Sequence, residues 1–342
     1  MKVSVVILNW NGCDMLRTFL PSVVRYSEGE GIEVCVADNG STDASVTLLQ
    51  QEFPSVRTIV LDQNYGFAVG YNLGLQQGDA EYVVLLNSDV EVTEHWLEPM
   101  IAYLDKHPEV AACQPKIRSQ RQKEYFEYAG AAGGFIDKYG YPFCRGRIMG
   151  VVEKDEGQYD TVVPVFWATG AALFIRRTDY VNVGGLDGRF FAHMEEIDLC
   201  WRLRSRNREI VCVPQSIVYH VGGATLKKEN PHKTFLNFRN NLVMLYKNLP
   251  QEELNKVMRI RTCLDYLAAF NFLLQGHWDN ASAVMRARKE YKRLCPSFSL
   301  SREENMRKKT LNPIPERTKS SILWQFYARG CKRFSQLSDL KG

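Results

Sequence analysis

Short apolar runs alternate with longer segments of mixed polarity over the first hundred residues. The apolar runs are rich in β-branched residues and predict buried strands at residues 3–8, 33–38, 56–61 and 82–86. The intervening segments predict helices at residues 14–26, 44–53 and 68–77. This alternation predicts a mostly parallel sheet with helices on both faces.

Each predicted strand ends in polar side chains. They are Asn9 and Asn11, then Asp38, then Asn64, then Asn87, Ser88 and Asp89. Each group alone is typical of a turn, because Asn, Ser and Asp favour turns and helix caps. Parallel strands point the same way, however, and open α/β sheets bind ligands at the carboxyl ends of their strands. Four polar strand ends in succession therefore indicate a binding crevice.

The middle of the chain is less regular. Residues 118–160 are rich in Gly and Tyr and predict a mobile binding loop. Residues 162–177 predict a strand that crosses a Gly-centred kink, and residues 209–214 predict another strand. From Thr234 onward the pattern indicates helices with many basic residues. We therefore expect a catalytic domain over 1–225 and a mainly helical region over 226–342.

Composition narrows the class of protein. The chain has 342 residues and a net charge of +4, which is too weakly basic to argue for nucleic-acid binding. Its nine cysteines form no CxxC pair, which argues against a disulfide framework or a zinc site and favours a reducing cytoplasm. No signal peptide is expected, since the first apolar run ends at Asn9, and no stretch is long enough to span a bilayer.

Two crevice segments are candidates for nucleotide binding. Asp38 could accept hydrogen bonds from a nucleobase or from ribose hydroxyls, although a helix-capping turn explains its neighbours equally well. The spaced glycines Gly66, Gly70 and Gly74 match neither the dinucleotide nor the P-loop spacing, and close helix packing is their simpler explanation. A dinucleotide dehydrogenase is disfavoured.

Asp89 is a candidate ligand for Mg²⁺ or Mn²⁺. Such cations are bound through one or two carboxylates together with substrate phosphates. His220 ends another apolar strand and could be the second ligand, although a single histidine at a strand end is more often structural. A histidine in the ligand set would favour Mn²⁺ slightly.

Three acidic residues crowd one predicted helix start. Glu195, Glu196 and Asp198 could stabilise the first turn through the helix dipole. Crowded carboxylates also repel one another, which can raise one pKa into the range of a general base. Both interpretations stay open on the residues alone.

Taken in order, these segments resemble a known enzyme family. The segments are "VSVVILNWNG", "VADNGSTD", "NYGFAVGYNLGL", "LLNSDV", "ATGAALFIRR", "GGLDGRFFAHMEEIDLCWRLR" and "HVGGAT". They resemble the inverting family-two glycosyltransferases with the glycosyltransferase-A fold, in particular the rhamnosyltransferase-like enzymes of bacterial cell-surface polysaccharide synthesis. The resemblance covers about residues 1–250, and its specificity lies in the whole ordered set.

The resemblance implies roles for individual residues. The donor nucleotide and its sugar would be held by Leu8, Asn9, Asn11, Asp38, Asn64, Phe67, Asn72, Asn87 and Ser88. Asn87 stands where the family usually has the first Asp of its Asp-x-Asp motif, so only Asp89 carries over as a metal ligand, together with His220. Glu196 matches the catalytic base. The acceptor would be oriented by Glu195, Asp198 and Trp167, the last of which fits a core position equally well.

The expected function is a metal-dependent inverting transfer, with Mn²⁺ or Mg²⁺, from a UDP- or dTDP-sugar to a glycan or lipid-linked acceptor. A sugar nucleotidyltransferase is one alternative, but "LNWNGCDML" lacks a glycine-rich basic loop for a triphosphate. A non-catalytic nucleotide-sugar-binding scaffold is the other, kept open by Asn87. The helical region is expected to pack on the catalytic domain. A basic amphipathic face lying peripherally on the inner membrane surface is its alternative.

Overall fold

The computed structural model describes residues 1–222 and 230–340. Its strands, in chain order, are β1 Val3–Asn9, β2 Ile32–Asp38, β3 Arg57–Val60, β4 Tyr82–Asn87, β5 Val90–Val92, β6 Val110–Ser119, β7 Gly134–Ile136, β8 Pro142–Cys144, β9 Arg147–Ile148, β10 Val151–Val152, β11 Val163–Pro164, β12 Ala172–Arg176 and β13 Glu209–His220. Its α-helices are α1 Cys13–Tyr26, α2 Ser45–Glu52, α3 Gly66–Gln76, α4 Glu98–Lys106, α5 Arg177–Asn182, α6 Glu195–Ser205, α7 Pro231–Asn248, α8 Gln251–Leu274, α9 Trp278–Leu294, α10 Ser299–Lys308 and α11 Ile322–Tyr327.

A central sheet runs in the order β3-β2-β1-β4-β12-β6-β13-β11, with β5 paired to β13. Strands β3, β2, β1 and β4 are parallel, which confirms the alternation predicted for the first hundred residues. Strand β12 lies antiparallel between β4 and β6, and β13 is parallel to β6. The strand ends that carry Asn9, Asp38 and Asn87 therefore lie side by side at one edge of the sheet.

Hydrophobic cores cover both faces of this sheet. On β1, Val3, Val5 and Ile7 pack with α1, α2 and α4, whereas Val6 belongs to the core on the opposite face with α3. Successive side chains of a strand point to opposite faces, so a strand buried on both sides must be apolar throughout. This explains why the first strands are continuous apolar runs.

The prediction of a mobile loop over residues 118–160 is wrong. Strands β7 to β10 form a four-stranded antiparallel sheet in this segment, and many of its side chains belong to the main core. Its glycines serve close packing: a Cβ on Gly134 would lie 2.0 Å from the Trp167 ring. The prediction of a single strand over 162–177 is also wrong, because this segment forms two short strands, β11 and β12, separated by residues 165–171.

The C-terminal helices pack onto the sheet domain. Helix α7 contacts both α6 and α9, and a buried ion pair joins Arg204 of α6 to Glu316. Farther on, Asp137 beside the four-stranded sheet accepts a hydrogen bond from the Ile322 N–H. The predicted domain boundary at residue 225 lies outside the described residues. Within the described ranges, no helix is long and apolar enough to cross a bilayer.

Candidate active site

The ends of β1 and β2 are joined by buried hydrogen bonds. The Asp38 carboxylate accepts bonds from Asn9 Nδ2 at 2.9 Å and from the Ser41 N–H at 2.9 Å. Both Asp38 and Asn9 are fully buried, so the expected direct contact of these two side chains with a nucleotide is corrected: they shape the turn that follows β2. The exposed Asn11 accepts a bond from the Thr42 N–H at 2.8 Å, which fixes the neighbouring turn against it.

Asn39 links this turn to the start of α3. Its Nδ2 donates to Asn64 Oδ1 at 3.0 Å and to the Gly66 carbonyl at 3.1 Å, and its Oδ1 accepts from the Tyr65 N–H at 3.0 Å. Asn39 was not among the residues predicted for the site. Its position directly after an acidic strand end was the signal that could have identified it. The exposed Asn64 is thus held at the crevice mouth.

Three further predicted residues lie on or under α3. Leu8 is partly buried against Gly70, where a Cβ would lie 2.8 Å from its methyl group. The partly buried Phe67 packs edge-on against Tyr71 at 4.8 Å between ring centroids. Asn72 donates to the Leu186 carbonyl at 2.7 Å and accepts from the Tyr180 hydroxyl at 2.5 Å. Both ends of the Asn72 amide thus secure residues 180–186, and its contact with a nucleotide-sugar stays a prediction.

Asp89 and His220 form a buried pair. Asp89 follows β4, His220 ends β13, and Asp89 Oδ1 lies 3.1 Å from His220 Nε2. Asn87 Nδ2 lies 3.5 Å from the same nitrogen, while the partly buried Ser88 lies beside Gly12. Glu127 approaches from the other side, with its Oε2 3.6 Å from His220 Nδ1. Glu127 was missed because its segment was taken for a mobile loop.

The surroundings of the pair favour the charged forms of both His220 and Asp89. Burial alone would lower the pKa of His220, but the hydrogen bond to Asp89 and the nearby Glu127 carboxylate outweigh it and raise that pKa to about 10. For Asp89, burial opposes the charged form, yet the His220 hydrogen bond leaves the carboxyl pKa below its usual value. The pair is therefore an ion pair at neutral pH.

The same pair fits a divalent cation once His220 has released its proton, because a histidine must be neutral to bind a metal. Adjacent corners of an octahedron with 2.1 Å metal–oxygen bonds lie about 3 Å apart, close to the separation of Asp89 Oδ1 and His220 Nε2. No group of three or more His, Cys, Asp or Glu that could hold a metal occurs in the part of the chain that the structure describes. Two protein ligands suit a cation that completes its shell with phosphate oxygens and water.

Glu195 and Glu196 begin α6 directly after a strained segment. Phe191, His193 and Met194 all have left-handed backbone angles, with φ of 67°, 70° and 73°. Non-glycine residues adopt such angles only where the surroundings hold them, and they cluster at functional sites. Helix α6 thus starts abruptly and presents two carboxyl groups in its first turn.

The two carboxyl groups have one free oxygen each. Oε2 of Glu195 and Oε2 of Glu196 are buried and have no hydrogen-bond partner among the described residues. Burial raises the pKa of Glu196 to about 7, whereas burial and the adjacent Glu196 raise the pKa of Glu195 well above its usual value. Glu196 therefore titrates where a general base is most effective.

Contacts with α3 place Glu196 beside the crevice. A Cβ on Gly170 would lie 3.1 Å from the Phe67 ring and 3.8 Å from Glu196 Cβ, so Gly170 lies between them. The next residue, Ala171, accepts a hydrogen bond from the Asn87 N–H at 3.0 Å. The base candidate and the strand that leads to Asp89 therefore flank one loop.

Helix α7 holds the strained segment in place. Asn240 Nδ2 lies 3.0, 2.8 and 2.8 Å from the carbonyl oxygens of Phe190, Ala192 and His193. Arg239 donates to the Phe190 carbonyl at 2.8 Å, so its guanidinium serves the same segment. Asn240 could not have been predicted from sequence, because its partners are backbone atoms of a segment almost fifty residues earlier.

The structure corrects two expected acceptor contacts. Trp167 is only 3% exposed, and its indole N–H donates to the Phe135 carbonyl at 2.9 Å, so its ring is a core element. Asp198 is fully buried and is bonded by Arg202, Lys247 and Asn248 at 3.0, 2.8 and 2.8 Å. Asp198 thus joins α6 to α7 and has no face left for an acceptor.

Part of the chain is similar in sequence to known proteins. Residues 4–167 match the family model described as Glycosyl transferase family 2. The N-acetylglucosaminyl-diphospho-decaprenol L-rhamnosyltransferase of Mycobacterium tuberculosis is 28% identical over 230 residues, covering 63% of this chain and 75% of the relative. Rhamnosyltransferase WbbL of Escherichia coli is 25% identical over 163 residues, covering 46% of this chain and 61% of that one.

Solved structures share the architecture. The crystal structure of GalNAc-T7 with UDP, GalNAc and Mn²⁺ aligns with a TM-score of 0.58 at 15% identity, over 93% of this chain and 59% of that chain. At this identity the likeness concerns the fold alone. It confirms the expected α/β architecture of the glycosyltransferase-A type with a helical C-terminal region.

Proposed function

We propose that this chain, whose residues 4–167 belong to glycosyl transferase family 2, is an inverting glycosyltransferase. It would transfer a deoxyhexose, with rhamnose as the first candidate, from a nucleoside diphosphate to a lipid-linked N-acetylglucosamine. The donor would be a dTDP- or UDP-sugar. The observation that carries the proposal is the buried Oε2 of Glu196, which has no partner among the described residues and flanks the same loop as the strand leading to Asp89. The choice of sugar rests on the rhamnosyltransferase relatives from M. tuberculosis and E. coli, and the choice of acceptor on the mycobacterial one.

The donor would lie along the polar strand ends. The exposed Asn11 and Asn64 are the side chains available to the nucleoside, while the buried Asn9 and Asp38 hold the turn in shape. Asp89 and His220 would hold a Mn²⁺ or Mg²⁺ ion, with Asn87 and Ser88 beside them. When bound there, the ion supplies Lewis-acid stabilisation of the negative charge on the leaving diphosphate.

Glu196 would act as the base. Its free Oε2 takes the proton from the acceptor hydroxyl as that oxygen forms its bond to the anomeric carbon. The bond from the anomeric carbon to the diphosphate oxygen breaks on the opposite side, and the diphosphate leaves with the electron pair. In-line displacement of this kind inverts the anomeric configuration. Burial and the adjacent Glu196 raise the pKa of Glu195, and its protonated form would donate a hydrogen bond to the acceptor.

The test separates binding from transfer. Calorimetry would measure dTDP and UDP binding with and without Mn²⁺, and a radiolabelled assay would offer dTDP-rhamnose and UDP-hexoses with a short polyprenyl-diphospho-N-acetylglucosamine. Rhamnosyl transfer by the wild-type chain is expected. Glu196→Gln should lower the transfer rate at least 1000-fold while changing donor affinity less than about twofold. Donor binding by the wild-type chain without transfer from any donor would instead favour a non-catalytic binding protein.

A further inference from the structure

An exposed apolar surface lies at the turn between α8 and α9. It consists of Tyr266, Leu267, Phe270, Leu274, Trp278 and Met285, which we call the α8–α9 tip. Trp278 is 69% exposed and Leu274 is 71% exposed. Monomeric soluble proteins seldom present several large apolar side chains together at one place on the surface. Such a patch indicates an interaction site.

The tip is rigidly attached to the rest of the protein. At mid-helix, Arg261 and Arg288 both bind the buried Asp265, which ties α8 to α9, and Arg261 also binds Asn241 of α7. Closer to the tip, Ala269, Ala281 and Val284 form a small separate core. The orientation of the exposed side chains is therefore set by buried contacts, and the patch is a preformed surface.

Basic residues surround the tip. Arg259 precedes it on α8, and Arg286, Lys289 and Lys292 follow it on α9; all four are exposed. Asp279 and Glu290 are the neighbouring acids, and Glu290 is already bonded to Arg293. Lys289 lies one helical turn beyond Met285, about 6 Å along the axis. Apolar and aromatic side chains rimmed by Lys and Arg at this spacing match the boundary between acyl chains and anionic headgroups.

We infer that the α8–α9 tip docks on the surface of an anionic lipid bilayer, with the six apolar side chains among the acyl chains and the basic rim at the headgroups. A second copy of the chain fits the surface less well, because facing two tips would bring two basic rims together. The docking holds whichever sugar is transferred.

The tip is also close to the candidate active site through α7. Phe238 packs against the small core beneath the tip, and Asn240, two residues later, holds the segment before Glu196. Residues two apart on a helix point in nearly opposite directions, so both α7 and the α8–α9 layer lie between the tip surface and the segment held by Asn240, a separation of ~20 Å. For a lipid-linked acceptor, a role that rests on the proposed function, docking would bring the membrane-held sugar to Glu196.

The experiment is flotation of the full chain with lipid vesicles, without donor or acceptor. Binding to vesicles with 40% phosphatidylglycerol should exceed binding to pure phosphatidylcholine at least tenfold at low salt. The double variant L274E/W278E should lose at least tenfold in vesicle affinity, and R286E/K289E should lose the preference for the anionic lipid. Trp324→Glu is the matched control, since Trp324 is 65% exposed on α11, and should bind as the wild type does.

Folding of each variant is checked by thermal melting and by calorimetric donor binding, and the milder L274S is carried alongside, with an expected smaller loss in the same direction. The inference is overturned if the wild-type chain does not bind anionic vesicles, or if L274E/W278E binds them with the affinity of the wild type. A wild-type dimer that dissociates in L274E/W278E, without vesicle binding, would overturn it in favour of a self-association surface. None of these outcomes bears on sugar transfer, which is measured separately with a water-soluble acceptor analogue.

Discussion

Asp89 Oδ1 and His220 Nε2 lie 3.1 Å apart, although 131 residues separate them in the chain. The contact exists because β5, which follows Asp89, pairs antiparallel with the end of β13. Topology therefore brings a carboxylate and an imidazole to one point that neither local segment specifies.

The first prediction concerns metal-dependent donor binding. Asp89→Ala should weaken Mn²⁺-dependent nucleotide binding at least tenfold, because it removes one of two protein ligands. Calorimetry with and without Mn²⁺ measures this. Glu91→Gln is the control. Glu91 lies two residues from Asp89 and its exposed carboxylate is bonded to Lys123, so this variant should bind as the wild type does. Unchanged metal dependence in Asp89→Ala would contradict the assignment.

The second prediction contrasts two adjacent acids. Burial and the adjacent Glu196 raise the pKa of Glu195, which favours its neutral acid form, and Glu195→Gln puts a neutral amide of the same shape in its place. Its transfer rate should fall no more than about tenfold, whereas Glu196→Gln should lose the proton acceptor and at least 1000-fold in rate. Steady-state kinetics of both variants at pH 8 provide the comparison. Equal losses in the two variants would mean that the pair acts as one structural unit.

The third prediction is a pH profile. Burial raises the pKa of Glu196 to about 7, and only the deprotonated form accepts a proton, so kcat/KM should rise tenfold per pH unit up to about pH 7 and then level off. Burial and the charge of Lys233 lower the pKa of the nearby His193 to about 4, so its titration lies well below this limb. An acid limb centred between pH 4 and 5 would contradict the role of Glu196.

The fourth prediction tests Asn240 as a positioning residue. Asn240→Ala removes the donor that holds three carbonyls of the strained segment, so kcat should fall about 10- to 100-fold while donor affinity stays within twofold. Unfolding free energy should also fall by about 1–3 kcal/mol, since buried carbonyls lose their partner. Urea denaturation and single-turnover kinetics report the two effects.

Asn237→Ala, one turn earlier on α7, is the matched control, because Asn237 is only partly buried and lacks the three carbonyl contacts. A merely structural role for Asn240 would lower stability and leave kcat unchanged in the fraction that remains folded.

Local patterns predicted the parts of the fold that depend on neighbours in sequence. Strands β1, β2 and β4 are apolar on both faces, so their positions followed from composition alone. The sheet of β7 to β10 was not predicted because its strands are only two or three residues long. Its glycines suggested a loop, although in the structure they allow close packing. Short strands have too few residues to establish a period.

The site residues also differ in whether their signal is local in the sequence or depends on distant segments. Asp89, Glu196 and His220 were predicted because each stands at the end or start of a recognisable element and matches a family motif, and their roles stay predictions. The burial of Trp167 and Asp198 was not predicted, since bonding partners are set by distant segments, as in the bonds from Lys247 and Asn248 to Asp198. Glu127 and Asn240 were missed because their roles exist only in three dimensions.

The bonds from α7 to Asp198 bear on how small a working fragment of this protein can be. A fragment ending at residue 225 would keep every strand and every residue assigned to donor, metal or base, yet it would lose Lys247 and Asn248 and leave the Asp198 charge short of two of its three partners. Stripping partners from a buried charge costs several kcal/mol, a large share of the stability of an ordinary domain. The smallest autonomous unit therefore extends through α7 and is defined by electrostatics, not by the end of the matched sequence.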